Sequence, residues 1–401
     1  MLKKMLVLLK KNLPFQLVLA IVLALILEPW MEVKTLSFFY TLSCAFKDLL
    51  MMVIPFVVFG YLMSSLVSFD KRALGMIFGV LGLVTLSNAL CVFVAYGLGA
   101  TFLPWLSFQP FQIAETTNDG VSTLWTIPWT SPLTPGIAMG LALFLGVGVI
   151  FTHFTPLKKL ARRVRDDSTK ILKKVFIPLL PFYVFGFMLR LQHEGTFELL
   201  VKGYGQVFLL TLLIMILYVL FWYGVAAQFR WKHFKNMLLC MFPAGITAFT
   251  TMSSAATLPV TLEGTEKMLK GRTYADFVIP LTANNHTVGD GLSIALSVLS
   301  LMWMSQNTLP TFESYTLFTL CYCMARFSTA GVPGGGILVM LPIIQEYMGM
   351  SPGLLSLLTT LYVLQDPIIT SVNVLGNGVF AFMTASLFQR KKEATLSKTE
   401  I

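Results

Sequence analysis

Charge is what this chain has least of. Only 12 % of its 401 residues are Asp, Glu, Lys or Arg, where an ordinary globular domain carries about a quarter. So few charges cannot cover a water-exposed surface of that size, which excludes a soluble globular protein. Cysteine is scarce too. Cys44, Cys91, Cys240, Cys321 and Cys323 show neither a disulfide framework nor a zinc-ligand spacing, and Cys321-x-Cys323 is too short for a redox pair. They read as small core residues. The glycine cluster Gly334-Gly335-Gly336 is not followed by Lys-Ser/Thr, so it makes no phosphate loop and argues against an ATP-driven pump. Bases are missing over long stretches. None lies between Arg72 and Lys158, and Arg326 is the one Lys or Arg between 273 and 389.

What the chain has is apolar length. Hydrophobic residues make up 56 % and mean hydropathy is +0.76, the composition of a polytopic membrane protein. The net charge of +10 sits in clusters: Lys3/Lys4/Lys10/Lys11, Lys71/Arg72, Lys158 to Lys174, Arg230 to Lys235, Lys267 to Arg272 and Arg390 to Lys392. Such clusters mark cytoplasmic loops, and this placement fits a membrane surface and no nucleic acid. The N-terminal apolar run ends at Glu28-Pro29-Trp30 without a small-residue cleavage site, so it reads as a retained first helix and not a signal peptide.

At about 20 apolar residues per crossing, the chain divides into eight spans, near 13–30, 36–67, 74–103, 135–154, 175–191, 207–227, 277–304 and 354–388. The loop at 105–132 has acids and tryptophans but no bases and belongs outside; the basic segment 158–174 belongs inside. Residues 236–272 have bases at both ends, which predicts a re-entrant hairpin dipping from the cytoplasm. Residues 314–350 begin after a base-free segment carrying Glu313 and end in another carrying Glu346, which predicts a second hairpin dipping from outside. Both termini are then cytoplasmic. A continuous ten-span count satisfies the same charge pattern. The expected fold is all-α, with a plasma-membrane location (the inner membrane in a Gram-negative cell) and a tail at 391–401.

Two interruptions carry the functional signal. Ser254-Ala255-Ala256-Thr257-Leu258-Pro259 and Ser328-Thr329-Ala330-Gly331-Val332-Pro333 share the pattern Ser-x-Ala-x-x-Pro, 74 residues apart. Irregular backbone survives in hydrocarbon only where it lines a cavity or is buried in protein, and paired breaks point to the solute site of a secondary transporter. The last span carries Asp366, Thr370, Asn373 and Asn377 on one helical face. The seventh is broken at Asn284-Asn285-His286-Thr287-Val288-Gly289-Asp290-Gly291, where freed carbonyls could bind a cation or solute. His286 and Asp290, four apart, are either functional groups or simply each other's partners. Arg326 either snorkels to the outer surface or faces Asp290 or Asp366.

At these residues the chain resembles the dicarboxylate/amino acid:cation symporters, the glutamate-transporter family. Ser253-Ser254-Ala255-Ala256-Thr257-Leu258-Pro259-Val260-Thr261 is similar to the tip of its first hairpin, and Thr329-Ala330-Gly331-Val332-Pro333-Gly334 to that of its second. Asn373-Val374-Leu375-Gly376 matches its last helix, and Leu50 to Phe59 its second span. The resemblance implies eight spans with two re-entrant hairpins, a homotrimer, a small-molecule solute, and elevator-type alternating access. It implies that residues 1–235 form six helices of mostly scaffold, with helices three and six joining a transport core at 236–390. That core comprises hairpin 236–272, helix seven 273–304, hairpin 314–350 and helix eight 353–389. It places the solute against Ser253, Ser254, Asp290, Val332, Asp366, Thr370 and Asn373, with Asp366 holding an amino group. It places cation or proton coupling at His286, Asp290, Arg326, Thr329, Asn373 and Asn377, with Na+ or H+ as coupling ion and no other cofactor.

The chain departs from that family where charge matters. Ile369 stands where an arginine grips an acidic side chain, and Met252 where the first hairpin carries one. Val288 and Asn377 replace two cation-binding aspartates, and Asp290 replaces a threonine beside the side-chain pocket. Those changes favour a neutral polar or basic amino acid over an acidic one and remove charge that a hard-cation site needs. A transporter-derived channel or sensor is the alternative. An intramembrane aspartyl protease using Asp290 and Asp366 fits poorly, because Gly289-Asp290 lacks the Gly-x-Gly-Asp context.

Overall fold

The computed structural model describes residues 13–67, 74–106, 121–127, 133, 135–152, 155–269, 272–327 and 334–399. Thr329 and Val332 lie outside the described residues, as do Lys71, Arg72, the N-terminal lysines and most of the 105–132 loop. The described residues fold into fourteen α-helices: α1 (Leu13–Leu27), α2 (Val33–Val67), α3 (Leu74–Phe102), α4 (Pro135–Thr152), α5 (Thr155–Ile171), α6 (Ile177–His193), α7 (Thr196–Ala226), α8 (Trp231–Thr251), α9 (Ser254–Leu269), α10 (Arg272–Thr282), α11 (Val288–Gln306), α12 (Phe312–Arg326), α13 (Gly335–Met348) and α14 (Pro352–Thr399). Four stretches among them are long and apolar enough to cross a membrane on their own: Phe78–Trp105, Tyr204–Ala226, Val288–Gln306 and Gly353–Ala385.

The long helices such as α3 and α7 are apolar on every side, so in them burial and not polarity separates inner from outer. On α7, Leu209, Leu213, Leu217 and Phe221 are exposed while Thr211, Met215, Val219 and Tyr223 on the opposite face are buried. A helix hydrophobic all round with one face exposed fits contact with lipid. In contrast, 89 % of the apolar window of α11 is buried. α11 is the centre of the molecule.

Packing sorts the helices into two groups. α2 lies along α4, α5 and α6, with α1 against α6. α14 lies along α7, α8, α9 and α11, and α11 packs on α3 and α7. The groups meet where α13 touches α2 and α6 touches α7 and α14.

Both expected breaks form tight helix pairs. α8 ends at Met252, whose φ of 48° is left-handed, and α9 starts two residues later. The Cys240 carbonyl abuts Gly264, and Met241 Sδ accepts from Thr265 Oγ1 at 3.6 Å. Nearer the tip, the hydroxyls of Thr251 and Thr257 are 3.2 Å apart. Partner numbers that rise on one arm as they fall on the other describe two antiparallel arms. α12 and α13 pair likewise, with Arg326 reaching Gly336 across the tip.

Two boundaries differ from the sequence reading. The basic segment read as the inner loop 158–174 is a helix, α5, with Ala161 and Ser168 buried and Lys159, Arg162 and Arg163 exposed. Its amphipathic period, hidden inside a charge run, is what folds it; a π-helical turn, Leu172–Phe176, leads into α6. The tail expected at 391–401 is a continuation of α14 to Thr399, because residues 389–399 contain no glycine or proline to end the helix.

Candidate functional site

The segment read from the sequence as a seventh span is two helices, α10 and α11, separated by residues 283–287. Unwound backbone at this depth must find partners, and α3 supplies them. Asn88, fully buried, donates from Nδ2 to the Asn285 carbonyl at 2.7 Å and accepts the Thr287 N–H at 3.1 Å. Tyr322 on α12 donates its hydroxyl to the Thr287 carbonyl at 3.0 Å. Two carbonyls of this break, those of Asn285 and Thr287, thus already accept from side chains.

The start of α11 leaves first-turn amides unpaired, as every helix does. Asn373 of α14 caps them from outside: its Oδ1 accepts from the N–H of Gly289 at 2.8 Å and of Asp290 at 3.3 Å. Its Nδ2 donates to Asp290 Oδ2 at 2.6 Å. This approach requires Gly289, because a Cβ there would sit 2.5 Å from the Ile369 carbonyl oxygen.

Asp290 is the hub of a buried charge cluster. Arg326, at 0 % exposure, sets its Nη1 3.2 Å from Asp290 Oδ1. The Tyr362 hydroxyl also donates to Asp290 Oδ1. The guanidinium goes on to donate from Nη2 to the Gly336 carbonyl at 2.8 Å and from Nη1 to Thr287 Oγ1 at 3.4 Å, and its Cζ lies 5.0 Å from the Tyr322 ring centroid. Of the two readings of Arg326, the structure has the one that faces Asp290, and the arginine does not snorkel outward. A side chain on Gly336 would collide with Asp290 and Tyr362, so glycine lets the hairpin arm come in.

Asp366 is buried too, at 4 % exposure, but its partners are neutral. Oδ2 accepts from the Gly334 N–H at 2.8 Å and Oδ1 from Thr370 Oγ1 at 3.1 Å. Among the described residues no Lys, Arg or His forms an ion pair with it. Gly334 is the first described residue after the second hairpin tip, so this carboxylate stands at the base of that tip.

His286 belongs to a different network from Asp290, which settles the question of their pairing: they are not partners. Its Nδ1 meets Asn377 Oδ1 at 3.0 Å, its Nε2 meets Ser87 Oγ at 2.9 Å, and its ring lies against that of Phe380, centroids 4.4 Å apart and planes tilted by 34°. Beside it opens an apolar cavity of about 250 Å³ between α3, α7 and α14, reached by Trp222, Val288 and Phe380 but by neither Asp290 nor Asp366. Val288 packs against Gly376.

The structure therefore joins Asp290, Arg326 and Asn373 in one network. It puts Asp366 and Thr370 one to two turns away on α14, and groups His286 with Asn377. Ser253 and Ser254 lie at the start of α9, where Ser253 Oγ accepts the Ala256 N–H at 3.3 Å as a cap. Asn88, Tyr322 and Tyr362 were missed by sequence reasoning. Asn88 follows Thr85 and Ser87 in an otherwise apolar run, and these polar residues at mid-span were the available signal. The tyrosines carried none, since their rings are as apolar as their neighbours.

With this geometry in view, the match to known proteins is specific. The model of the sodium:dicarboxylate symporter family covers residues 13–387, and the chain belongs to that family. It is a membrane-embedded transporter protein of a family whose members are carriers and not enzymes.

Proposed function

From that membership we propose that the chain is a secondary carrier for a neutral polar amino acid, working by elevator-type displacement of α3 and α7–α14 against α1, α2 and α4–α6. The observation that carries the substrate class is Asp366, a buried carboxylate with only neutral donors around it. A charge taken out of water needs an opposite charge or full hydrogen bonding, and a solute ammonium group supplies both. Acidic side chains are disfavoured because the one nearby guanidinium, Arg326, is engaged by Asp290, and Ile369 is apolar and fully buried. Basic side chains, the other option left by the sequence, lose their counter-charge for the same reason: Asp290 already has a cation. Ser253, Ser254, Thr370 and Val332 complete the proposed solute site.

The topology that goes with this reading is eight spans and two hairpins in an inner or plasma membrane, both termini cytoplasmic, assembled as a homotrimer. The two packing groups fit a fixed frame and a moving core. Uptake of radiolabelled serine, threonine, glutamate and lysine into proteoliposomes, with sodium and proton gradients imposed separately, tests the proposal. Accumulation of serine or threonine is expected. Preference for glutamate sinks the substrate class, and steady ion current without accumulation supports a channel or sensor instead.

A further inference from the structure

Asp290 poses a question that the substrate reading leaves open: what balances its charge when no solute is bound? The geometry points to a tethered internal cation. We propose that Arg326 permanently supplies, at Asp290, the positive charge that a mobile coupling cation would otherwise bring, and that it latches the second hairpin to the broken helix without sodium at this position. This rests on the carrier reading for its consequence but on the structure for its mechanism.

The oxygens around Asp290 do not fit a metal cation. Asp290 Oδ1 faces the Arg326 guanidinium and the Tyr362 hydroxyl, and Oδ2 faces the Asn373 amide. Asn373 Oδ1 is taken by two backbone N–H groups, and the Thr287 carbonyl by the Tyr322 hydroxyl. Hard cations demand several converging oxygen lone pairs, whereas here hydrogens point at those oxygens. The two neighbouring positions give no help. Val288 is packed against Gly376, and Asn377 is turned to His286.

The same guanidinium makes a mechanical link. Arg326 ends α12, and its Nη2 bonds the Gly336 carbonyl in the first turn of α13, so it spans both arms of the hairpin. Its Nη1 reaches Asp290 and Thr287 at the start of α11. Any movement of the hairpin away from α11 must separate a buried ion pair. Breaking such a pair on one side costs far more than deleting both partners together.

Thermal unfolding of the detergent-purified full-length protein tests this without any transport assay, so a failed carrier and a mistaken ion pair give different results. Arg326→Met and Asp290→Asn should each lower Tm by about 5–10 °C, or prevent folding, while the double variant recovers most of the loss. Replacing choline chloride by sodium chloride at equal ionic strength should leave the wild-type Tm unchanged, and should raise that of Arg326→Ala, whose vacated space exposes Asp290. Additive losses in the double variant would overturn the proposal. So would a sodium-specific rise in wild-type Tm that Asp290→Asn abolishes, since a mobile cation would then already occupy this place.

Discussion

Each buried polar residue in this core is defined by what it is allowed to touch. Asp290 and Asp366 are the same side chain at similar burial, yet one is saturated by a cation, a phenol and an amide, and the other rests on an amide N–H and a hydroxyl. In the proposed carrier, that difference makes Asp290 part of the frame of the site and leaves Asp366 for the solute. Replacing Asp366 by Asn should leave the protein folded, with Tm within a few degrees of wild type, while uptake falls by at least about 100-fold, the equivalent of one lost charge-assisted contact. Retained uptake would remove Asp366 from the site. Gly289 makes a complementary case. Alanine there would press on the Ile369 carbonyl and on Asn373 Oδ1, 3.0 Å from the new Cβ, and should cost about 1–3 kcal/mol by overpacking, read as a lower Tm.

At the scale of elements, the broken helix is held by its neighbours more than by itself. Asn88 on α3 bonds both a carbonyl and an amide of the unwound segment, so Asn88→Ala strands two buried backbone groups at about 1–3 kcal/mol each. Native-state hydrogen exchange should then show faster exchange at residues 285–288 with little change in α5 or α6. Equal exchange in variant and wild type would mean that other groups hold the segment. The break itself was legible in the sequence, because two asparagines and two glycines in mid-span announce it. That helices pack back on each other on either side of two breaks was legible from the paired Ser-x-Ala-x-x-Pro motifs. What supports them was not legible. Tyr322 and Tyr362 differ from core phenylalanines by one hydroxyl whose partner lies on another helix, and α5 was masked by a run of bases whose period only burial reveals. The stripe Asp366, Thr370, Asn373 and Asn377 read as one helical face; the structure divides it among three sets of partners, since such a face passes several neighbours along its length.

For the whole molecule, the proposed carrier requires the two packing groups to move relative to each other. The Tyr183 hydroxyl on α6 lies beside Ser356 and Thr359 on α14, one of the places where the groups meet. In a variant cleared of its five native cysteines, Tyr183→Cys with Thr359→Cys leaves two thiols separated by about the length of the lost tyrosine ring, too far for a direct disulfide; a short bis-methanethiosulfonate reagent should bridge them and stop uptake, and reductant should restore it. Full-rate transport by the cross-linked protein would show that the groups do not slide past each other. Exposed apolar residues such as Leu209 and Phe182 on the outer faces fit surfaces that meet lipid or other copies of the chain.

The most direct test of the account is to offer the purified carrier, reconstituted in proteoliposomes, two solutes that differ only in the group meant for Asp366. Serine carries an ammonium there, and glycerate a hydroxyl. Saturable accumulation of serine, none of glycerate, and loss of the serine signal in Asp366→Asn are the predicted results. Accumulation of glycerate or of a dicarboxylate, with serine ignored, would contradict the claim that this buried carboxylate waits for a solute's positive charge.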